Sequence, residues 1–500
     1  MKPIMKHGLC PAILCTAVLL FASCGDAGDT AAVTTEAPLS GDTVAVTETE
    51  TETRIKADLP DADFEGYAFR IITRGEFNQH WSSKDISAVE ANGDLINDAV
   101  YKRNTAVCEK YNFAIVEIGD IEDIATAVKK TVQAGEDAYD MVCAGLNGPI
   151  STLAPAGMLV DLYTVPNLDL TKPWYDQNAI SSLSIGGTLH AVTGELTIMD
   201  NDATWVVLFN KQLAENFDFG NLYEKVENGS WTIDAMSSMA KEVANDINGD
   251  GVMDETDQWG VIGESFNTFA YIVGSGCQYV AKDDDDIPYF TLDSEKLFNA
   301  FEKAAALNGD FNVCAYATNF SSKYTGDIFV ACIDPMFSSG KVLFNTCGMN
   351  RVTLFRSMET DFGILPQPKY DEAQTEYYNP VSMWCCNSIA VPASATDLSR
   401  TGHVIEALSA ESLYTLTPAY YDQTLKTKAS RDEESAAMLD IIFASRVYDL
   451  SNMYDFGSIF STINALCEKS DPAFTSTVEK KIASAQKALD KIVTFYTEEQ

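Results

Sequence analysis

The 500-residue chain carries 73 acidic against 34 basic side chains, a formal charge of −39 at pH 7. A surface so negative repels nucleic acid and anionic lipid headgroups and argues against both as partners, while it favours hydration and cation binding. Hydrophobic residues make up 46%, ordinary for a globular protein and enough to build two domains or one large two-lobed body.

At the N-terminus, Lys2 and Lys6 precede an apolar run from Leu9 to Ala22. A basic start, a short apolar stretch and small residues before a cut form a secretory signal over 1–23, too short to span a bilayer. The run ends in Leu20-Phe21-Ala22-Ser23-Cys24-Gly25. A cysteine in that place resembles a bacterial lipoprotein signal and implies lipidation at Cys24, with the chain held on the outer face of the cell membrane. Residues 24–63 then read as a disordered acidic tether. Thr47 to Thr53 alternate strictly with Glu, and the segment has little apolar material to bury. After Ala22 no apolar run is long enough to cross a membrane.

The folded body starts near Phe64. Tyr67–Thr73 reads as a strand, Asp94–Tyr111 as a helix with Leu95, Ala99, Val100, Val107 and Cys108 on one face, and Phe113–Ile118 as a second strand. Ile121–Ala134 reads as a helix and Tyr139–Ala144 as a third strand. Strands alternating with helices predict α/β layering around a mostly parallel sheet, with ligands at the carboxyl ends of the strands. Further on, Thr232 caps one helix, and Asp293 or Ser294 caps another with Leu297, Phe298, Phe301 and Ala305 in a stripe. The last helix has Asp471 as cap and Pro472 at its first position.

Nine cysteines remain after Cys10, Cys15 and Cys24, none in CxxC spacing, and most in apolar settings. They read as small core residues. No nucleophile elbow, HExxH, P-loop or dinucleotide fingerprint is present. Ala144-Gly145-Leu146-Asn147-Gly148 is a glycine pair after a strand, which more often marks a loop than a phosphate site. His80, His190 and His403 are too scattered to suggest a zinc or triad site.

Asp246–Asp257 has the EF-hand spacing. Oxygen side chains from Asp246, Asn248, Asp250, Asp254 and Asp257 fall at loop positions 1, 3, 5, 9 and 12, Gly251 sits at 6 and the Val252 carbonyl at 7. A hard cation needs six or more oxygens around such a turn. The expectation is a structural Ca2+, weakened by Asp in place of Glu at position 12. No helix pair flanks the loop, so a sensor role does not follow.

Taken together in order, several segments resemble the extracellular solute-binding proteins of ABC importers, the large family that includes maltose-binding protein. Tyr139-Asp140-Met141-Val142 followed by Leu153–Leu162 is similar to its "strand, then helix, then G-x-L-x-D-L" segment. Trp205–Lys211 matches its strand ending in "F/Y-N-K", and Leu222–Thr232 its "L-Y-x-x-V-x-x-G-x-W-T". Phe337–Phe344 and Phe362–Lys369 match "F-x-x-G-K-x-x-F" and "F-G-x-x-P-x-P-K". The resemblance implies a two-lobed periplasmic-binding-protein-like fold of type II, with discontinuous lobes of about 64–192 plus 335–372 and 193–334 plus 373–500. It also implies a monomer that closes about a hinge on a solute and delivers it to permease subunits.

Sugars are held by aromatic faces and planar polar groups. Trp81, Trp174, Asp200, Asn201, Tyr271, Arg351 and Trp384 are the candidate ligand-binding residues, with Tyr175 and Trp205 beside them. Trp231 and Trp259 read as core. A membrane-anchored carbohydrate-active enzyme and a surface glycan-binding adhesin are the alternatives; no residue is assigned a catalytic role.

Overall fold

The computed structural model describes residues 54–74, 81, 84–119, 121–425, 433–469 and 473–498. The signal segment, Cys24, most of the expected tether and the Asp471–Pro472 cap lie outside them. Residues 55–500 form one compact unit. Its edge includes part of the expected tether. Ile55 N donates to the Tyr414 hydroxyl at 2.7 Å, and Ala57, Leu59, Ala62 and Phe64 pack against the core. These apolar side chains give residues 55–63 something to bury, which the segment before them lacks.

Two sheets organise the unit. The first orders its strands Asn387–Ala390, Met141–Gly145, Tyr67–Thr73, Phe113–Ile118. The last three run parallel, with Tyr67 opposite Phe113 and Ile71 opposite Met141, and Asn387–Ala390 is an antiparallel edge. The second orders Phe362–Leu365, Trp205–Asn210, Val342–Gly348, Trp259–Gly263, Cys314–Tyr316. Trp259–Gly263 is parallel to both its neighbours, and the other pairs are antiparallel. The strand pattern divides the chain differently from the expected lobe boundaries. Val342–Gly348 and Phe362–Leu365, expected in the first lobe, belong to the second sheet; Asn387–Ala390, expected in the second, belongs to the first. Val342–Gly348 is buried along its whole length because it lies in mid-sheet. The chain returns only beyond it.

The crossings lie side by side. Val192 and Ile389 exchange backbone hydrogen bonds at 3.0 and 2.7 Å, and Ser382 N donates to the Ala203 carbonyl at 2.9 Å. Thr204 bridges Val381. These paired crossings connect the two sheets.

The helices start where the capping residues dictate. Asp94 accepts from Ile96 and Asn97, and the helix Leu95–Tyr111 ends on left-handed Asn112. Its buried face is Ile96, Ala99, Val100, Arg103, Val107 and Tyr111, whereas Leu95 is exposed. The second helix starts at Ile124, later than expected, because Asp123 caps it by accepting from Thr126 N. Thr232 and Ser294 cap Ile233–Val243 and Glu295–Asn308 as expected. All nine cysteines from Cys108 to Cys467 are unpaired, and eight are buried. No helix among the described residues is long and apolar enough to cross a membrane.

Candidate functional site

A cavity of about 340 Å³ opens where the two sheets face the crossing segments. The second sheet supplies one wall at the carboxyl ends of two strands: Ile262 and Glu264 from Trp259–Gly263 and its exit, and Asn345 to Gly348 from Val342–Gly348. Trp205 opens the strand between its neighbours and enters from the same end. Trp81, eight positions beyond the first-sheet strand Tyr67–Thr73, and Trp384, Ser382 and Cys385 of the crossing segment complete it.

Aromatic surface dominates one side. Trp81 and Trp205 stack with centroids 6.3 Å apart and planes at 13°. Phe266 tilts against Trp205 at 4.7 Å. The Trp205 indole N–H donates to Asn267 Oδ1 at 3.0 Å, which fixes its plane. Rings held in this way offer flat apolar faces at low entropic cost.

The polar side is acidic. Glu264, Asp327 and Asp334 line it with Arg351. Arg351 Nη1 lies 3.1 Å from Asp334 Oδ2, yet neither atom has an aligned hydrogen-bond partner. The Arg351 guanidinium also sits 5.5 Å from the centre of the Phe329 ring. Burial pushes the Glu264 carboxyl up to about 7 and Asp334 up to about 6, in each case against the pull of Arg351.

Trp384 also borders a second hollow of about 500 Å³ on the first-sheet side, with Arg74, Asn147, Gly148 and the start of the helix Ile124–Ala134. Arg74 Nη2 donates to the Trp384 carbonyl at 2.9 Å, and its guanidinium lies 5.6 Å from the ring centre. Trp384 is therefore a wall shared by the two hollows. The glycine pair after Met141–Gly145 falls here, in a kinked turn where Gly148 has φ 94°.

Of the sequence candidates, Trp81, Arg351 and Trp384 meet at the first cavity, and Trp205 joins them. Trp174, Tyr175, Tyr271, Asp200 and Asn201 do not line it. Trp174 is fully buried against Tyr175, with ring centroids 6.5 Å apart. Tyr175 is buried too, and its hydroxyl donates to Glu406 at 2.7 Å. Tyr271 is fully buried, and its hydroxyl pairs with Thr346 Oγ1 at 2.8 Å, one layer behind the cavity wall. Asp200 and Asn201 are buried around Arg446, whose Nη1 lies 3.1 Å from Asp200 Oδ2 and 2.8 Å from Asn201 Oδ1. Arg446 Nε meets Asp176 Oδ2 at 3.0 Å. These two ligand-binding candidates thus sit on a short helix, Met199–Asp202, tied into the core. Trp231 and Trp259 are core, and their indoles donate to Pro366 O and Asp254 O, both at 2.8 Å.

Glu264, Asp327, Asp334, Phe266 and Phe329 were not singled out from the sequence. Glu264 had a usable signal, because it directly follows a buried strand at its carboxyl end. The others had none.

The acidic loop lies between the helix Ile233–Val243 and the strand Trp259–Gly263 and is closed by an Asn245–Gln258 bridge. Asp246 accepts from Gly249 N and Gly251 N, both at 2.7 Å, and Asn248, Asp250 and Asp254 each accept from the backbone two residues on. Asp257 is buried and accepts from Ile247 N and Asp254 N. Among the described residues, no three His, Cys, Asp or Glu side chains are grouped to hold a metal ion.

Two α/β sheets are joined by adjacent crossings, and an aromatic and acidic cavity is bounded by the second sheet, Trp81 and the crossing segment, the frame of a two-lobed fold. The model of the bacterial extracellular solute-binding protein family matches residues 103–411, more than half of the chain, and the chain belongs to that family. Solved structures agree in fold. The galacto-N-biose-/lacto-N-biose I-binding protein of the ABC transporter from Bifidobacterium longum, in complex with lacto-N-biose, is 12% identical over 86% of this chain and 98% of its own, with a TM-score of 0.54. UgpB from Mycobacterium tuberculosis, in complex with glycerophosphocholine, is 14% identical over 85% and 98%, also at 0.54. A cyclo/maltodextrin-binding protein complexed with maltotetraose is 13% identical over 86% and 97%, at 0.53. No curated protein matches the chain in sequence.

Proposed function

We propose that this solute-binding protein serves an ABC importer. It captures a carbohydrate, most simply an oligosaccharide, between its two sheets and hands it to permease subunits. The observation that carries the reading is the cavity wall itself. Stacked Trp81 and Trp205 with Phe266 present ring faces beside Arg351, Asn345 and three carboxylates. Apolar faces that pack on a sugar ring, next to groups that fix its hydroxyls, are what such a ligand requires. Three fold relatives are solved in complex with lacto-N-biose, maltotetraose and glycerophosphocholine, and the last of them makes a small polar non-sugar solute the second reading. Closure would run about the paired crossings 192–204 and 381–389, driven by the solute's greater affinity for the closed state.

The protein acts by capture without turnover, as a monomer whose tie to the membrane is lipid at Cys24. The acidic loop Asp246–Asp257 is proposed as a Ca2+ staple: Asp246, Asn248, Asp250, Asp254 and Asp257 would draw together around the cation with the Val252 carbonyl. Its carboxylates keep lone pairs beyond those that accept the loop's own N–H groups, and Trp259 fastens the loop to the second sheet.

A thermal-shift screen of oligosaccharides, peptides, amino acids and glycerophosphodiesters tests the solute class. A ligand present at about 100 times its dissociation constant stabilises by ~2.7 kcal/mol. A shift with a peptide and with no glycan would refute the carbohydrate reading. Product release from the bound glycan would refute capture without turnover.

A further inference from the structure

Trp384 belongs to two hollows. It closes the cavity beside Trp81 and also walls the larger one, of about 500 Å³, on the first-sheet side. Each hollow alone falls within the roughly 300–1,000 Å³ of a small-molecule site.

The larger hollow sits where the fold favours a ligand. From Tyr67–Thr73 the chain moves to Phe113–Ile118 on one side, then returns to Met141–Gly145 on the other. The winding of the parallel strands reverses between Tyr67–Thr73 and Met141–Gly145, and such sheets bind ligands outside the carboxyl ends of the strands at that point. Arg74 directly follows the first of these strands, Asn147 and Gly148 follow the second, and all three line the hollow.

Its polar groups are held but not used up. Arg74 Nη2 donates to the Trp384 carbonyl at 2.9 Å, and among the described residues the guanidinium makes no other hydrogen bond and no ion pair. A guanidinium carries five N–H donors, so most of them remain available. A Cβ on Gly145 would overlap Arg74 Nη2, so the bare glycine admits the side chain. Asn147 Nδ2 donates to the Asn452 and Met453 carbonyls at 2.8 and 3.1 Å, which fixes the amide and leaves Oδ1 to accept. Fixed donors and acceptors beside a half-exposed indole suit the hydroxyls and ring face of a sugar. Arg74 and Lys129 line the hollow together with Glu122 and Asp123, and this balance of sign favours a neutral ligand over a charged one.

We propose that one solute occupies both hollows and passes over Trp384, so that the carbohydrate of the reading above, on which this inference rests, is a neutral oligosaccharide of at least three units, one in each hollow and one against Trp384.

Isothermal titration of the full-length protein tests this with malto-, cello- and xylo-oligosaccharides of one to six units and with tetragalacturonate. In the neutral series that binds, the tetramer should bind about tenfold or more tighter than the dimer. Arg74→Ala should cost the tetramer about tenfold more affinity than the dimer, a split that a merely structural role would not give. Thr152→Trp, at an exposed position lining the larger hollow, should give the same split and serves where Arg74→Ala fails to fold. Equal binding of dimer and tetramer would overturn the two-hollow solute and leave the carbohydrate reading standing. Equal losses at both lengths in both variants would overturn the placement. Tetragalacturonate binding tighter than every neutral tetramer would overturn the neutral assignment. Binding of no glycan of any length would overturn both this inference and the carbohydrate reading.

Discussion

Trp81 stacks on Trp205 with ring centroids 6.3 Å apart and planes inclined by 13°. The first follows a strand of the first sheet, and the second opens a strand of the other. The stack therefore packs a residue that follows the first sheet in sequence against a strand of the second, in the cavity wall. Gly348 makes room for it. A Cβ there would lie 2.9 Å from Trp81 Cη2 and 3.0 Å from both Asn350 Oδ1 and the Asp202 carbonyl.

Gly348→Ala should displace the Trp81 ring, because the backbone carbonyl behind it cannot yield. Overpacking of this kind costs ~1–3 kcal/mol. The expected outcome is a lower melting temperature together with solute affinity weakened by about tenfold, which is ~1.4 kcal/mol. Calorimetry and titration check the two effects on one sample.

Two tryptophans should separate binding from stability. Trp384 is 51% exposed with Arg74 beside its ring, so Trp384→Ala should weaken binding by about tenfold and move the melting temperature little. Trp174 is fully buried. Trp174→Ala should cost ~3–5 kcal/mol of stability while the folded fraction keeps its affinity. Denaturant melts with titration of both variants decide. Equal loss of affinity in both would contradict this assignment of roles.

Stability should rise on mild acidification. Asp202 and Glu264 are lifted to about 7 from 3.8 and 4.5, chiefly by burial. Between about pH 4 and pH 7 the folded chain therefore holds protons that the unfolded chain has released. Folding loses this contribution as pH rises through that window and keeps it in full below. The ligand-free protein should melt a few degrees higher at pH 5 than at pH 8, and Asp202→Asn should flatten that slope. A melting temperature that climbs from pH 5 to pH 8 would contradict it.

Arg446 holds Asp176 and Asp200 in the interior. Arg446→Ala leaves those carboxylates buried without their cation, a loss of about 3–5 kcal/mol. Replacing Asp176 and Asp200 by Asn in the same variant should recover part of it. Chemical denaturation of the single and triple variants measures the difference.

Calcium at millimolar concentration should raise the melting temperature if the acidic loop is a staple, and a chelator should reverse the gain. Asp246→Ala with Asp250→Ala should abolish the response while leaving the solute affinity intact. An unchanged melting curve with and without chelator would dispose of the staple.

Much of the local structure was legible. Asp94, Thr232 and Ser294 cap helices because a short oxygen side chain satisfies the first free N–H groups whatever the surroundings. Three of the four strands of the first sheet followed from apolar and β-branched runs, Asn387–Ala390 did not, and the order of motifs from Tyr139 to Lys369 pointed to the solute-binding family. The site was less legible. Trp174 and Trp384 are the same residue type in similarly mixed company, yet one is sealed in the core and the other half exposed. Asp200 and Asn201 were ligand-binding candidates by residue type, and only the arrival of Arg446 from far along the chain made them interior.

By itself the sequence determined the acidic surface, the helix starts at Asp94, Thr232 and Ser294, the alternating α/β elements and the family, all carried by local chemistry and motif order. Tertiary structure decided the rest. It placed Val342–Gly348 in the second sheet and Asn387–Ala390 in the first, because strand partners are chosen by packing across long separations. It also gathered Trp81, Trp205, Glu264, Asp334, Arg351 and Trp384 around one cavity. Burial and the balance of charge belong to that assembly, and no single stretch of chain contains them.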